Sequence, residues 1–255
     1  GSSVADALGI ETPVSAATVQ MLLEGNYIRD DESNDLTGLL GHLPLPTPNR
    51  LVELADQGAE QTPDAGVGPL QRRRFHIDIH GSGHTADELL ELFRSRFAEI
   101  VPFEAAAEPG SPERVEEGAT LTLQLPVRGH VQVRVEQLDA RSFTLATLEG
   151  HPLAGVVRFR CDDGADGAVR FIIDVAERPA SRVDQLSMAL GGSAAQKRTW
   201  TQTAERMAEA AGGTAPGGVA EESWELEDSA ADDVEDWVKA LVRRRERAEA
   251  RNGTH

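Results

Sequence analysis

The sequence predicts an α+β domain in which an antiparallel sheet packs against helices. The prediction rests on the order of the patterns along the chain: one strand, one helix, a series of short strand-like runs and then a long helical stretch. With 40% hydrophobic residues among 255, the chain can bury a core of its own. Aromatic residues make up only 4%, so that core must consist mainly of Val, Leu, Ile and Ala.

The first strand and the first helix have the clearest patterns. Residues 75–80 alternate between apolar and polar side chains, which is typical of a strand with one buried face. Two glycines follow, and Thr85 can cap a helix that ends at Pro102. The apolar residues of this helix recur at helical spacing and are Leu89, Leu90, Leu92, Phe93, Phe97 and Ile100.

Short strand-like runs follow, separated by turn residues, and this spacing predicts an antiparallel meander. The runs are 119–125, 130–137, 142–148, 155–160 and 168–175. Cys161 lies at the end of one run and is predicted to be a buried apolar thiol. A last helical stretch covers 180–211, with an interruption at Gly191 and Gly192.

The two ends of the chain have a different character from this domain at 70–211. Residues 1–69 are predicted to form an N-terminal helical arm and a linker, because short helical patterns alternate there with proline-rich segments. Residues 212–255 are predicted to form a flexible acidic linker and an amphipathic helix. Acidic residues precede this helix and arginines end it, and we expect it to dock through Trp237.

Charge and cysteine content exclude several classes of partner. The net charge of −18 opposes binding to nucleic acids and to anionic membrane surfaces. No apolar stretch approaches the roughly 20 residues that span a bilayer. The single cysteine cannot form an intramolecular disulfide, so we expect a cytoplasmic protein. No phosphate loop, dinucleotide motif or nucleophile elbow is present, and no cofactor or catalytic residue is assigned.

The segment from Ser142 to Met207 resembles the family called domain of unknown function 1990, itself similar to the START-like (SRPBCC) superfamily. The residues that carry the resemblance are Thr147-Leu148-Glu149-Gly150-His151-Pro152, Gly155, Phe159, Asp166-Gly167, Val169, Phe171, Arg178-Pro179-Ala180 and Gln196. The resemblance implies a helix-grip fold, in which a curved antiparallel sheet wraps a long C-terminal helix. It also implies an apolar pocket between the sheet and that helix.

The first functional hypothesis is therefore the binding of a hydrophobic or amphipathic small molecule in this pocket. An arginine that faces the pocket could bind a ligand carboxylate. The residues predicted to contact the ligand are His151, Arg158, Phe159, Phe171, Ile173, Arg178, Leu186 and Trp200.

Two alternatives stay open. The protein could be an interaction module with a filled core, whose terminal arms and Trp224 or Trp237 contact a protein partner. It could instead be an enzyme similar to polyketide cyclases, which requires His151, Asp174 or Arg178 to face the pocket.

Two histidine motifs have both a structural and a chemical interpretation. His151 lies in a turn between strands, where it can either transfer a proton or hold the turn through backbone hydrogen bonds, and the structural role is favoured. His76, Asp78 and His80 alternate on one strand and could present metal ligands with His84. Because structural zinc usually needs four well-placed ligands, a solvated polar face is favoured and no metal site is assigned.

Overall fold

The computed structural model describes residues 58–102, 104–107, 114–125 and 129–252. The helices predicted within the first 57 residues lie outside these ranges. The predicted START-like region is described almost completely, as are the C-terminal residues up to 252.

The described residues form one antiparallel sheet. Its strands are Gln71–Ile79 (β1), Glu104–Ala107 (β2), Thr120–Leu125 (β3), Gly129–Asp139 (β4), Ser142–Thr147 (β5), Leu153–Asp163 (β6), Val169–Pro179 (β7) and Ala220–Glu225 (β8). They are hydrogen-bonded in the order β2, β3, β4, β5, β6, β7, β1, β8. The meander from β2 to β7 thus returns to β1, and β8 adds a further edge strand.

The helices precede and follow this meander. Their bounds are Ala86–Ser95 (α1), Phe97–Ile100 (α2), Arg182–Ser187 (α3), Ser193–Ala210 (α4) and Asp228–Asn252 (α5), with a π-helical turn, Met188–Gly192, between α3 and α4. Thr85 and Glu88 form a capping box at the start of α1. In the described part of the chain, no helix combines the length and apolarity needed to cross a membrane.

This architecture confirms the predicted helix-grip fold. Three differences are local. The edge strand β2 was not among the predicted strand runs, which begin at residue 119. The helix predicted to reach Pro102 is divided at Arg96, whose backbone departs from helical geometry. The break predicted at Gly191 and Gly192 is a π-helical turn, which keeps the helical path while changing its hydrogen bonding.

The face of the sheet that packs against α1 and α4 is called the inner face. Phe75, Ile77 and Ile79 of β1 are buried there, as their alternation predicts, together with Leu89 of α1. Cys161 is fully buried on the same face, and burial raises the pKa of its thiol. The prediction of a buried cysteine is confirmed.

The opposite face of the sheet, called the outer face, is covered by α5. Ala146, Val156 and Ala176 from three neighbouring strands form an apolar cluster with Val238 of α5. Trp237 packs against this cluster, in agreement with the docking predicted for it. The C-terminal helix therefore belongs to the packed structure and lies on the side of the sheet away from α4.

Segments expected to be linkers are also attached to the sheet. Thr214, in the glycine-rich stretch after α4, exchanges backbone hydrogen bonds of 2.8 and 2.9 Å with His80. Residues 220–225 continue as β8, which pairs with β1 although all its side chains are exposed. Backbone pairing holds this segment, so hydrophobic alternation could not have indicated it.

The end of the N-terminal arm contacts the turn between β5 and β6. The side-chain amide of Gln61 donates hydrogen bonds of 2.8 Å to the carbonyls of His151 and Leu153. The amide of Val67 donates to the carbonyl of Pro179 at 2.8 Å. The segment predicted as a linker is therefore docked on the ends of β5, β6 and β7.

Candidate functional site

The space between the inner face and α1 is occupied by a cluster of aromatic rings. Phe93 of α1 lies 5.0 Å from both Phe159 and Phe171, measured between ring centroids, and Phe97 and Phe143 complete the cluster. Phe159 and Phe171, two of the predicted ligand-contacting residues, are fully buried within it, as is Ile173. These three side chains thus form a closed apolar floor for the inner face.

The helix α4 contacts the inner face unevenly along its length. Its C-terminal half is tightly packed, since Ala204 and Met207 are fully buried. Its N-terminal half carries Gln196 and Trp200, which are only partly buried. The Trp200 ring contacts Phe159 at 5.9 Å, so the N-terminal half of α4 lies above the apolar floor.

The indole N–H of Trp200 is buried, and no hydrogen-bond acceptor for it exists among the described residues. A buried donor without an acceptor costs about 1–3 kcal/mol, which makes such an atom unusual in a folded protein. Val157 of β6, which points to the inner face, is partly exposed and packs on the same core. An apolar surface with one unused donor therefore lies between β6 and α4.

A buried carboxyl group lies at the same interface. Glu177 of β7 is on the inner face and accepts a hydrogen bond of 2.6 Å from the side-chain amide of Gln196. Gln196 in turn accepts one of 3.1 Å from Arg73 of β1. Burial raises the pKa of Glu177 to about 7, against the opposing effects of the Gln196 hydrogen bond and the Arg73 charge.

Replacing Glu177 with glutamine should reduce the loss of stability between pH 5 and pH 8. Because the folded-state pKa of about 7 exceeds the ordinary value of 4.5, this carboxyl group contributes stability below pH 4.5 that is lost as the pH rises through 7. The Glu177→Gln variant stays neutral and should gain about 2 kcal/mol on the wild type between pH 5 and pH 8. Urea unfolding at both pH values measures this, and parallel pH profiles would contradict it.

Glu177 was absent from the residues predicted at the site. Ile173, Val175 and Glu177 are successive alternate residues of β7, so strand parity alone places Glu177 on the inner face. The signal that could have identified Glu177 is an acidic residue at a strand position where the preceding alternate residues are apolar and buried. Gln196, by contrast, was part of the family resemblance.

His151 is buried in the turn before β6 and contacts backbone groups. Its ring Nδ1 accepts a hydrogen bond of 3.0 Å from the amide of Leu153. The His151 amide donates to the carbonyl of Leu148 at 3.1 Å. These contacts agree with the structural role favoured for this histidine, and they hold the turn in place.

Gly155, just after this turn, allows β6 and β7 to approach closely. A Cβ atom at this position would lie 2.2 Å from the carbonyl oxygen of Ala176 and 2.7 Å from the Cα of Glu177. Glycine is therefore required opposite Glu177.

The two predicted arginines lie on the outer face and so are separated from Trp200 by the sheet. Arg158 of β6 donates a hydrogen bond of 2.9 Å to the hydroxyl of Ser142. Arg178, near the end of β7, forms an ion pair of 2.7 Å with Glu235 of α5. Leu186 belongs to α3. The predicted set is thus divided between two faces of the sheet.

The residues required by the cyclase-like alternative do not meet on the inner face. Asp174 alternates with Ile173 and Val175, faces α5, and forms ion pairs of 2.7 Å with Arg74 and 3.2 Å with Arg160. Arg178 shares this parity, and His151 lies in the turn. In the structure, Glu177 is the acidic group that faces the helix-grip interface.

The polar side of β1 is engaged in ion pairing. Asp78 accepts hydrogen bonds of 2.6 and 2.8 Å from the guanidinium group of Arg170, which holds the pKa of this carboxyl below its usual range. Within the described ranges, no group of three or more metal-ligating side chains is brought together. Asp78 thus takes part in the polar outer face that was favoured over a metal site.

Comparisons with solved structures identify proteins of similar fold. A conserved protein from Geobacillus kaustophilus aligns with 14% identity and a TM-score of 0.42, covering 55% of this chain and 95% of that chain. The Zhui aromatase/cyclase from a Streptomyces species aligns with 13% identity and a TM-score of 0.42, covering 56% and 94%. The protein Ara h 8.0201 aligns with 10% identity and a TM-score of 0.38, covering 56% and 97%.

Comparison of the sequence itself identifies a family. No curated protein matches the chain. Residues 71–206 match the family described as domain of unknown function, DUF1990. The matched segment extends from the first residue of β1 into the last turns of α4, so it includes the whole helix-grip unit. Since it spans more than half of the 255 residues, the chain belongs to the DUF1990 family.

Proposed function

We propose that this protein binds a hydrophobic or amphipathic small molecule between the inner face and the N-terminal half of α4. The observation that carries this proposal is the buried, unpartnered indole N–H of Trp200 above an apolar floor. A ligand with an apolar body would pack on Val157 and Trp200, and its acceptor atom would receive the indole hydrogen bond.

The polar end of the site favours an amphipathic ligand over a pure hydrocarbon. Glu177, Gln196 and Arg73 form a hydrogen-bonded row beside the apolar surface, and the row ends in a guanidinium group. A neutral Glu177 carboxyl can donate a hydrogen bond, whereas its ionised form can only accept. A hydroxyl, carbonyl or carboxylate group on the ligand would find a partner in this row.

The first test is a comparison of the intact mass of the purified full chain under native and denaturing conditions. A small molecule that is present in the native spectrum and released on denaturation supports the proposal and defines a ligand class. If the chain carries no such molecule, it is titrated with the amphipathic dye anilinonaphthalene sulfonate and with a panel of lipids. A bare mass and no binding to any member of the panel would overturn the proposal.

A matched pair of tryptophan variants locates the site. Trp200→Phe keeps an aromatic ring and removes the indole N–H, so dye affinity should fall about fivefold to tenfold. Trp224→Phe makes the same change on the exposed edge strand β8, where the side chain is 39% exposed, and should leave affinity unchanged. Equal affinities for the two variants would contradict a site at Trp200.

A protein-interaction module is the second candidate, and the filled phenylalanine cluster favours it. Phe93, Phe159 and Phe171 leave the centre of the helix-grip space occupied by protein side chains. Trp224 is the large exposed hydrophobic residue of the described chain and lies on the acidic edge strand β8. A bare mass together with loss of partner binding in a Trp224→Ala variant would select this candidate.

A further inference from the structure

A cavity lies on the outer face of the sheet, away from α4. This cavity, called the outer cavity, has a volume of about 220 Å³ and lies beneath α5. Val156, Ala176, Val234 and Trp237 form its apolar lining, and Arg72 and Arg158 form the basic part of it. Because β6 and β7 separate it from Trp200, a ligand in the outer cavity cannot contact the site proposed above.

Two buried hydrogen-bond donors without partners occur in or beside the lining of this cavity. The Nε–H of Arg158 is buried and has no acceptor among the described residues, although its Nη2 donates to Ser142. Thr144 is fully buried, and its hydroxyl also has no partner there. Thr144 and Arg158 are directly opposite each other in the pairing of β5 with β6, and strand parity places both on the outer face.

The chemistry of these donors indicates the chemistry of the missing partner. A guanidinium N–H can only donate, and a hydroxyl group can donate while it also accepts. Arg158 lines the apolar cavity and Thr144 lies beside it on the neighbouring strand, and two adjacent donors match a carboxylate, whose two oxygens accept hydrogen bonds and whose charge complements an arginine. Each donor that is left unsatisfied lowers the stability of the fold, and a bound oxygen would recover that free energy.

The local charge permits an anion in a chain whose net charge is −18. Asp174 also borders the cavity, but its carboxylate already pairs with Arg74 at 2.7 Å and with Arg160 at 3.2 Å. The guanidinium group of Arg72 also lies 3.8 Å from the Asp174 carboxylate. Arg158 has no carboxylate partner among the described ion pairs, so its positive charge is available to a ligand.

We infer that the outer cavity binds a small carboxylate with an aromatic or branched apolar body. The carboxylate would accept hydrogen bonds from Arg158 and Thr144, and the apolar body would lie between Trp237 and the Val156–Ala176 pair of the sheet. A cavity of about 150 Å³ holds benzene, so the volume here suits one ring with its carboxylate. This inference is independent of the inner site.

The test is a titration of the ¹⁵N-labelled full chain with benzoate, observed through the indole N–H resonances. A Trp237→Phe variant assigns the relevant resonance. We expect the Trp237 resonance to move and saturate while that of Trp200 stays in place. Benzamide has the same shape without the charge and should bind at least about tenfold more weakly, given the strength of charge-assisted hydrogen bonds.

Matched variants separate this site from general anion binding. Arg158→Gln should weaken benzoate binding at least about tenfold, and Thr144→Val should weaken it severalfold while leaving the charge intact. Arg170→Gln is the control, because Arg170 is also on a strand of the sheet but pairs with Asp78 and does not line the cavity. Circular dichroism tests whether each variant is folded. If Arg158→Gln is unfolded, benzoate binding by Thr144→Val decides the question.

Three outcomes would overturn the inference. The Trp237 resonance could remain unmoved at benzoate concentrations well above those of a weak site, which would mean that the cavity holds only water. Benzoate could shift Trp200 instead, which would assign binding to the inner site and support the proposed function alone. Arg158→Gln and Arg170→Gln could weaken binding equally, which would indicate nonspecific attraction to arginines.

Discussion

Replacing Arg245 with alanine should lower the free energy of unfolding by about 3–5 kcal/mol. Arg245 of α5 is only 4% exposed and forms an ion pair of 2.8 Å with Glu136 of β4, which is fully buried. It also pairs with Glu60 at 2.5 Å, so it joins the end of the N-terminal arm to the sheet and to α5. Its removal leaves two carboxylates close together with little access to water.

The loss caused by Arg245→Ala should depend on pH. Burial raises the pKa of Glu136 to about 7, and the hydrogen bond and charge of Arg245 oppose this rise. Without Arg245 the ionised form of Glu136 becomes still less favourable, so the variant should lose more stability at pH 8 than at pH 5. Protonation of Glu136 at the lower pH removes the uncompensated negative charge.

Urea unfolding measured at both pH values tests this prediction, with Arg244→Ala as the matched control. Arg244 is the neighbouring residue on α5, but its side chain is 51% exposed and its contact with Glu117 is 3.9 Å. Exposed pairs contribute about 0–1 kcal/mol, so the control should change little. Losses of similar size in the two variants would show that the buried network does not hold α5 on the sheet.

Replacing Phe159 with alanine should cost about 3–5 kcal/mol of stability. Phe159 is fully buried, and its ring contacts Phe93 and Phe143 at 5.0 Å as well as Trp200 at 5.9 Å. It therefore connects α1, the sheet and α4. Alanine would leave a cavity at this junction, because the surrounding strands cannot close over the lost ring.

Thermal and urea unfolding of Phe159→Ala measure this loss, with Trp224→Ala as the surface control. Trp224 is 39% exposed and contacts Arg72 through a cation–π interaction of 5.7 Å, which contributes about 1 kcal/mol or less. If Phe159→Ala cost no more than this control, the phenylalanine cluster would not form the main core.

Local sequence patterns determined the elements of the helix-grip domain. Alternation along 75–80 predicts β1 with its buried Phe75, and Thr85 predicts the start of α1. Such patterns are reliable here because each reports a local property: the period of one buried face, or a side chain that caps nearby amides. The family resemblance then implied that a curved antiparallel sheet wraps the last helix.

The two candidate sites show what local patterns could not determine. Parity along β6 and β7 separates Phe159 from Arg158 and Glu177 from Arg178, but it does not say which element covers each face. The predicted ligand set therefore combined side chains that the sheet keeps apart. The pairing of Gln196 with Glu177 depends on the position of α4, which no short segment specifies.

By itself, the sequence determined the fold class, the order of the elements from β1 to α4 apart from β2, the buried face of β1 and the docking residue of α5. Only the tertiary structure decided that α5 covers the outer face, that the exposed segment at 220–225 becomes an edge strand, and that the residues of the two proposed sites lie on opposite sides of the sheet. The physical reason is that the spacing of buried apolar residues is encoded within one segment. Strand pairing and unsatisfied buried donors, by contrast, arise between segments that are distant in the chain.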